Sequence, residues 1–329
     1  MNETKSGQII VPREVDGAEI ISLVDNSVDF LSTIEKEEVQ QVREWVRERK
    51  GDEWMREHFR LPIAEHGFSM FISVFSHGES SHILFDTGGS SDSARTNAQR
   101  MGLNLDKAEC IVLSHGHHDH CGGLLAALEV INKEKLPIIV HDDMFRTRGV
   151  ANPDGSIRES PEFPTEDQVA PAAYVKTKSP YLIGHDMALV SGEIPRETDF
   201  EKGFPQHRVF DGGKWRPDPW IWDDRAIIVN VRNKGLVVVS GCAHAGIINT
   251  IRYAQRITGV ADIYAVMGGF HLAGKEFEPR IGQTVEQLKL LGPKLLVPSH
   301  CTGWRGIHAM AEVLPHAFNW NSVGDMYRL

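Results

Sequence analysis

The chain reads as an α/β protein in which two mixed β-sheets are covered by helices. Three observations predict this. Strands and helices alternate in both halves of the chain. One apolar strand stops at a run of metal-binding side chains, and three later apolar runs each stop at a histidine. No Pro/Gly-rich linker and no short-period repeat divides the 329 residues. One domain over 1–329 is therefore expected, with a loop-rich insertion at about 150–224.

The elements follow in order. A β-rich start at Ile20 to Val24 leads into a charged helical stretch over 35–59. The runs 68–75 and 81–85 have β character and flank a turn-like HGES. After Asp86-Thr87-Gly88-Gly89, 92–101 reads as a helix, 109–113 as a short strand and 122–132 as a helix. The segment 150–224 is rich in Pro, Gly and Asp and carries Tyr174, Tyr181, Trp215, Trp220 and Trp222. Such a stretch is an active-site wall or passive decoration. In the last third, 226–231 and 236–240 form a hairpin pattern, followed by a helix at 247–256 and a strand at 263–267. A helix at 285–291 and a strand at 294–298 complete the alternation.

Composition excludes several classes. A hydrophobic fraction of 41% with 24% charged residues is that of a globular protein. No run approaches the ~20 apolar residues of a membrane helix, and the N-terminus lacks a secretion-signal pattern. A cytoplasmic setting is expected. The net charge of −10 argues against nucleic acid, which needs clustered Lys and Arg. The four cysteines (110, 121, 242, 301) form no C-x-x-C pair, which favours reduced thiols.

The chemistry is concentrated in Ser114-His115-Gly116-His117-His118-Asp119-His120-Cys121-Gly122-Gly123. Two histidines one residue apart can enter one cavity from a tight loop, and the Asp and His that follow add an oxygen and a nitrogen. Mixed imidazole and carboxylate donors suit zinc, with manganese or iron as alternatives, and favour a hydrolytic centre with open positions. Gly122-Gly123 lets the backbone turn closely into the next helix. The later strand ends carry His244, His271 and His300.

H-x-H-x-D-H between a strand and a helix resembles the signature of the metallo-β-lactamase superfamily. ILFDTG (83–88) resembles the strand and Asp turn that precede it. The resemblance implies a four-layer αββα sandwich and one or two metal ions. His115, His117, Asp119 and His120 would be the main ligands, and Asp86 would orient a ligating histidine. It also implies that His300 is the final ligand. Gly241-Cys242 stands where the superfamily has Gly-Asp, the Asp bridging two metals, so Cys242 is either a thiolate ligand or a buried neutral thiol. His244, two residues on, is a candidate replacement ligand, while His141, His185 and His207 lack a convincing context.

The motifs HGFS, ILFDTG, LSHGHHDHCGGL, SGEIPR, GCAHAG, GGFHL and SHCTG narrow the resemblance. They are similar to the branch named after an archaeal dihydropterin–ribofuranosyl-aminobenzene phosphate synthase. The implied activity is metal-dependent hydrolysis of an ester-like bond, phosphoester or phosphodiester ahead of lactone or thioester. A pterin-related transferase and a non-catalytic metal-binding protein are the alternatives. Asp119 would both bind metal and orient the nucleophile. His271 stands near substrate or is structural. Glu193 and Arg196 contact substrate, or SGEIPR is a plain strand and Pro turn. The expected partner is a small molecule, and the global charge does not exclude an anionic one.

Overall fold

The structure, a computed structural model, describes residues 9–329. The N-terminal half contains β1 (Gly17–Val24), β2 (Val39–Gln40), α1 (Val42–Glu57), β3 (Ser69–Ser76), β4 (Glu79–Phe85) and α2 (Ser93–Met101). It continues through β5 (Cys110–Val112), α3 (His118–Cys121), α4 (Leu124–Ile131) and β6 (Pro137–Val140). The middle holds β7 (Arg148–Ala151), β8 (Ile157–Glu159), α5 (Glu166–Val169), β9 (Ala173–Lys176), β10 (Tyr181–Ile183) and β11 (Ala188–Val190). Next are β12 (His207–Asp211), β13 (Lys214–Pro217), β14 (Ala226–Val231), β15 (Gly235–Ser240) and α6 (Ile247–Thr258). The chain ends with β16 (Ile263–Gly269), α7 (Ile281–Leu291), β17 (Leu295–Ser299), α8 (Gly303–Val313) and β18 (Met326–Arg328).

Among the described residues these strands form three sheets. The first runs β2-β18-β1-β3-β4-β5-β6-β9 and the second β10-β11-β14-β15-β16-β17. The two face each other through one apolar layer. Ile20, Ile72, Ile83 and Val112 of the first meet Ile227, Val229, Val237, Val239 and Met267 of the second. The alternate residues point outward. Leu23, Leu84 and Ile111 pack under α1, α2 and α4, while Ile228, Leu236, Val238 and Val266 pack under α6, α7 and α8. Burial on both faces explains why β14 and β15 read as nearly continuous apolar runs rather than alternating ones. Each such side chain contributes roughly 1.5–3 kcal/mol by leaving water.

Several elements differ from the sequence expectation. The first helix begins at Val42 rather than near 35, because Val39 and Gln40 pair with β18. Gly51, at φ 80°, interrupts it. The helix predicted at 122–132 is α4, which starts at Leu124, and a further short helix, α3, lies upstream inside the histidine run with Gly122 and Gly123 between the two. Segment 150–224 is more regular than its composition suggests: β9 extends the first sheet, and β10 and β11 extend the second. With β7 from just upstream, β8, β12 and β13 build a third, four-stranded sheet. No helix among the described residues is long and apolar enough to cross a membrane.

Candidate metal centre

Strand β4 runs parallel to β5, and β15, β16 and β17 run parallel to one another. Their carboxyl ends deliver Asp86, Ser114-His115, Cys242-Ala243-His244, His271 and His300. Gly241 follows β15 where a Cβ would collide with Ser114 and come within 2.8 Å of Asp86 Oδ2, so glycine permits this approach of the two sheets.

His115 Nε2 lies 2.9 Å from His117 Nδ1, and His244 Nε2 lies 3.2 and 3.1 Å from these two atoms. A neutral imidazole nitrogen is either a donor or an acceptor. A triangle of three cannot be donor-to-acceptor along every edge, whereas one cation satisfies all three. Burial, the largest influence on each, holds these imidazoles well below the usual histidine range, which keeps lone pairs free.

A second set lies beside the first: ligand atoms of Asp119, His120, Cys242 and His300 all fall within 4.8 Å of one another. His120 Nδ1 donates to Asp86 Oδ2 at 2.6 Å, which turns the Nε2 lone pair toward Cys242 Sγ at 3.1 Å. Asp86 also accepts from Ser114 N at 2.7 Å and Ser114 Oγ at 2.6 Å. His300 Nε2 is buried without a hydrogen-bond partner, 3.3 Å from Asp119 Oδ2. Burial opposes ionisation of Asp119, but His120, His300 and His117 outweigh it and hold the carboxyl well below its ordinary range. Burial pushes the Cys242 thiol well up, so a bound cation is what would bring it to thiolate. Cys242 belongs both to this set and to one with His115 and His244. The donors therefore fit two adjacent cations with Cys242 at the junction.

Two supporting residues, Arg148 and Asp223, carried no local signal in the sequence. Arg148 donates twice to Asp223, at 2.7 and 2.6 Å, and Asp223 accepts from Gly116 N at 2.8 Å. This buried pair fixes the peptide between His115 and His117. His207 places Nδ1 2.8 Å from the Asp218 carbonyl oxygen, leaving a buried Nε2 unpartnered near the His117 ring. His66, largely exposed, stacks on His300 with Nε2 3.5 Å from Asp119 Oδ2.

A cleft of about 740 Å³ opens over the donors and is lined by His117, Asp119, Cys242, His244, His271 and His300 among others. Both His271 ring nitrogens are without partners. Glu193 and Arg196 do not line this cleft. Glu193 accepts from buried His141 Nε2 at 2.9 Å. Arg196 is held by the carbonyls of Ile194, Trp220 and Ile221 and lies over Trp222. His141 is thereby committed away from the centre, and His185 lies 3.7 Å from Glu109.

The family model of the metallo-β-lactamase superfamily matches residues 64–257. The chain belongs to this superfamily. It is 31% identical over 269 residues to the 7,8-dihydropterin-6-methyl-4-(β-D-ribofuranosyl)-aminobenzene-5′-phosphate synthase of Methanocaldococcus jannaschii, covering 80% of this chain and 90% of that protein. An uncharacterised protein of the same organism is 32% identical over 266 residues, covering 80% of this chain and 93% of its own. A crystal structure described as a metal-dependent hydrolase of the β-lactamase superfamily superposes with TM-score 0.67 at 24% identity, over 95% of this chain and 98% of the other. The four layers seen here are thus those of a metallo-β-lactamase fold.

Proposed function

We propose that the protein is a metal-dependent hydrolase of an ester-like bond in a small molecule, with phosphoesters and phosphodiesters ahead of lactones and thioesters. The observation that carries this reading is the pair of adjacent donor sets joined at Cys242 on the floor of an open cleft. His115, His117 and His244 would hold one ion, and Asp119, His120 and His300 the other. Zinc suits imidazole with a thiolate, and manganese or iron are alternatives. A bound divalent cation supplies Lewis acidity and an activated water at neutral pH. Asp86 holds the proton on His120 Nδ1, and Asp119 accepts a hydrogen bond from the attacking water. Hydrolysis would join the water oxygen to phosphorus as the ester P–O bond breaks, the electron pair of that bond and one proton of the water ending on the departing alcohol oxygen. A cytoplasmic setting, where thiols stay reduced, suits Cys242 in this role.

Metal content by mass spectrometry, for the parent and Cys242→Asp, tests the centre, and bis(p-nitrophenyl) phosphate tests the chemistry. Near two equivalents with turnover supports the reading; one equivalent or fewer without turnover overturns it. A second reading follows from the synthase relative, in which the same centre serves a group transfer involving a pterin. The half-buried Phe204 ring, stacked on His244 and lining the cleft, offers such a planar group a surface. Quenching of pterin fluorescence by a protein that turns over no ester would favour it. Metal binding with neither property would leave a non-catalytic binding protein.

A further inference from the structure

One wall of the cleft comes from neither main sheet. The four-stranded sheet contributes Val150 of β7 and Arg158 of β8, cross-strand partners in an antiparallel pair, and Phe204 stands just before β12. Neighbouring arginines are engaged. Arg148 pairs with Asp223, Arg146 with Asp143 and Asp218, and Arg216 with Asp211, while Arg208 donates to backbone carbonyls. Arg158 is exposed at the cleft, and among the described residues its guanidinium forms no ion pair and no hydrogen bond.

The acidic groups of the cleft are Glu65 and Asp119, and neither is free to neutralise it. Glu65 accepts from Gly89 N at 2.8 Å and Ser90 N at 3.0 Å, and from Ser90 Oγ. Asp119 belongs to the donor set. An incoming ligand therefore meets an uncommitted guanidinium in a chain whose net charge of −10 otherwise repels anions. Phe204 supplies the apolar contact, fixed edge-on by Phe277 at 5.5 Å between ring centres and flanked by His271 at 5.6 Å.

We propose that Arg158 is the anion-recognition residue of this site and that the substrate is a small aromatic or heteroaromatic ester carrying a negative charge. The charge sits on Arg158 and the planar group against Phe204. This deepens, and rests on, the reading of the centre as a hydrolase. A guanidinium presents a planar fork that matches phosphate or carboxylate oxygens in pairs, which an ammonium does not.

The test titrates phenylphosphonate and benzoate, the two anion types, into metal-loaded parent, Arg158→Ala and Arg158→Lys by calorimetry. Loss of the guanidinium is expected to weaken anion binding by roughly tenfold or more. Lysine should restore part of that affinity, with metal content unchanged, and the probe more affected by Arg158→Ala identifies the preferred anion. Phe204→Leu should weaken phenylphosphonate but not methylphosphonate. In the kinetic arm, Arg158→Ala should raise KM for bis(p-nitrophenyl) phosphate with little change in kcat and leave p-nitrophenyl acetate unaffected. Unchanged affinity for both anions, or equal losses for charged and neutral esters, would overturn the proposal. If the parent cleaves no ester, the hydrolase reading falls while the calorimetry still decides Arg158.

Discussion

The N-terminal half delivers its donors from one segment of six residues, His115 to His120, whereas the C-terminal half delivers them from three separate strand ends, those of β15, β16 and β17. The loop is held by its own neighbourhood: Asp86 grips Ser114 and His120, and the Arg148–Asp223 pair grips Gly116. The strand-end donors depend on register instead. Ser240 pairs with Gly268 and Gly269 with Ser299, so a shift in either ladder would move Cys242, His271 or His300 out of the centre. Backbone in the left-handed region at Ala243, His271 and His300 then bends each end inward. One half builds a local clamp; the other builds a frame that the sheet keeps in line.

That contrast predicts different failures. The largest effect is expected from His117→Ala, which removes a donor from the clamp. Bound metal and turnover should fall by more than the ~100-fold that loss of a supporting partner costs, and metal analysis with retained full activity would falsify the proposed centre. Next is Arg148→Met, which leaves Asp223 buried and unpaired. Urea unfolding should show a loss of about 3–5 kcal/mol, while a change below 1 kcal/mol would mean that solvent relieves Asp223. Asp86→Asn frees the His120 tautomer, so metal affinity measured against a chelator should drop ~10–100-fold with little change in unfolding of the metal-free protein. Equal losses in both would make Asp86 a packing residue only.

The smallest effect lies where the end of the chain closes the N-terminal sheet. Burial raises the Asp325 carboxyl to about 8, against 3.8 for the free group. The unfolded chain gives up this proton first, so the folded state loses stability as pH rises from 3.8 toward 8. Asp325→Asn should remove that decline, and its stability relative to the parent should improve by about 2 kcal/mol between pH 6 and pH 8. A parallel pH profile in parent and variant would place the titration elsewhere.

The clamp was legible because its donors are contiguous and their spacing is itself the signal. Position after an apolar run drew attention to His244 and His300, yet nothing local distinguished them from His141, which also follows a strand but turns to Glu193. Glu193 and Arg196 show the limit most clearly. Their motif stands out in the sequence, but the fold spends Arg196 on backbone carbonyls away from the cleft. The small sheet of β7, β8, β12 and β13 escaped notice because its strands are short, partly exposed and lack a regular apolar period.

The sequence by itself determined the alternating α/β order, the apolar strands buried on both faces and the His115–His120 loop, since each depends on neighbours in the chain. Only the tertiary structure decided that Cys242 joins two donor sets, that His244 closes a triangle with His115 and His117, and that Arg158 faces the cleft. The contact of His244 with His115 alone joins groups 129 residues apart, and such contacts are fixed by sheet register and packing, which no local pattern encodes.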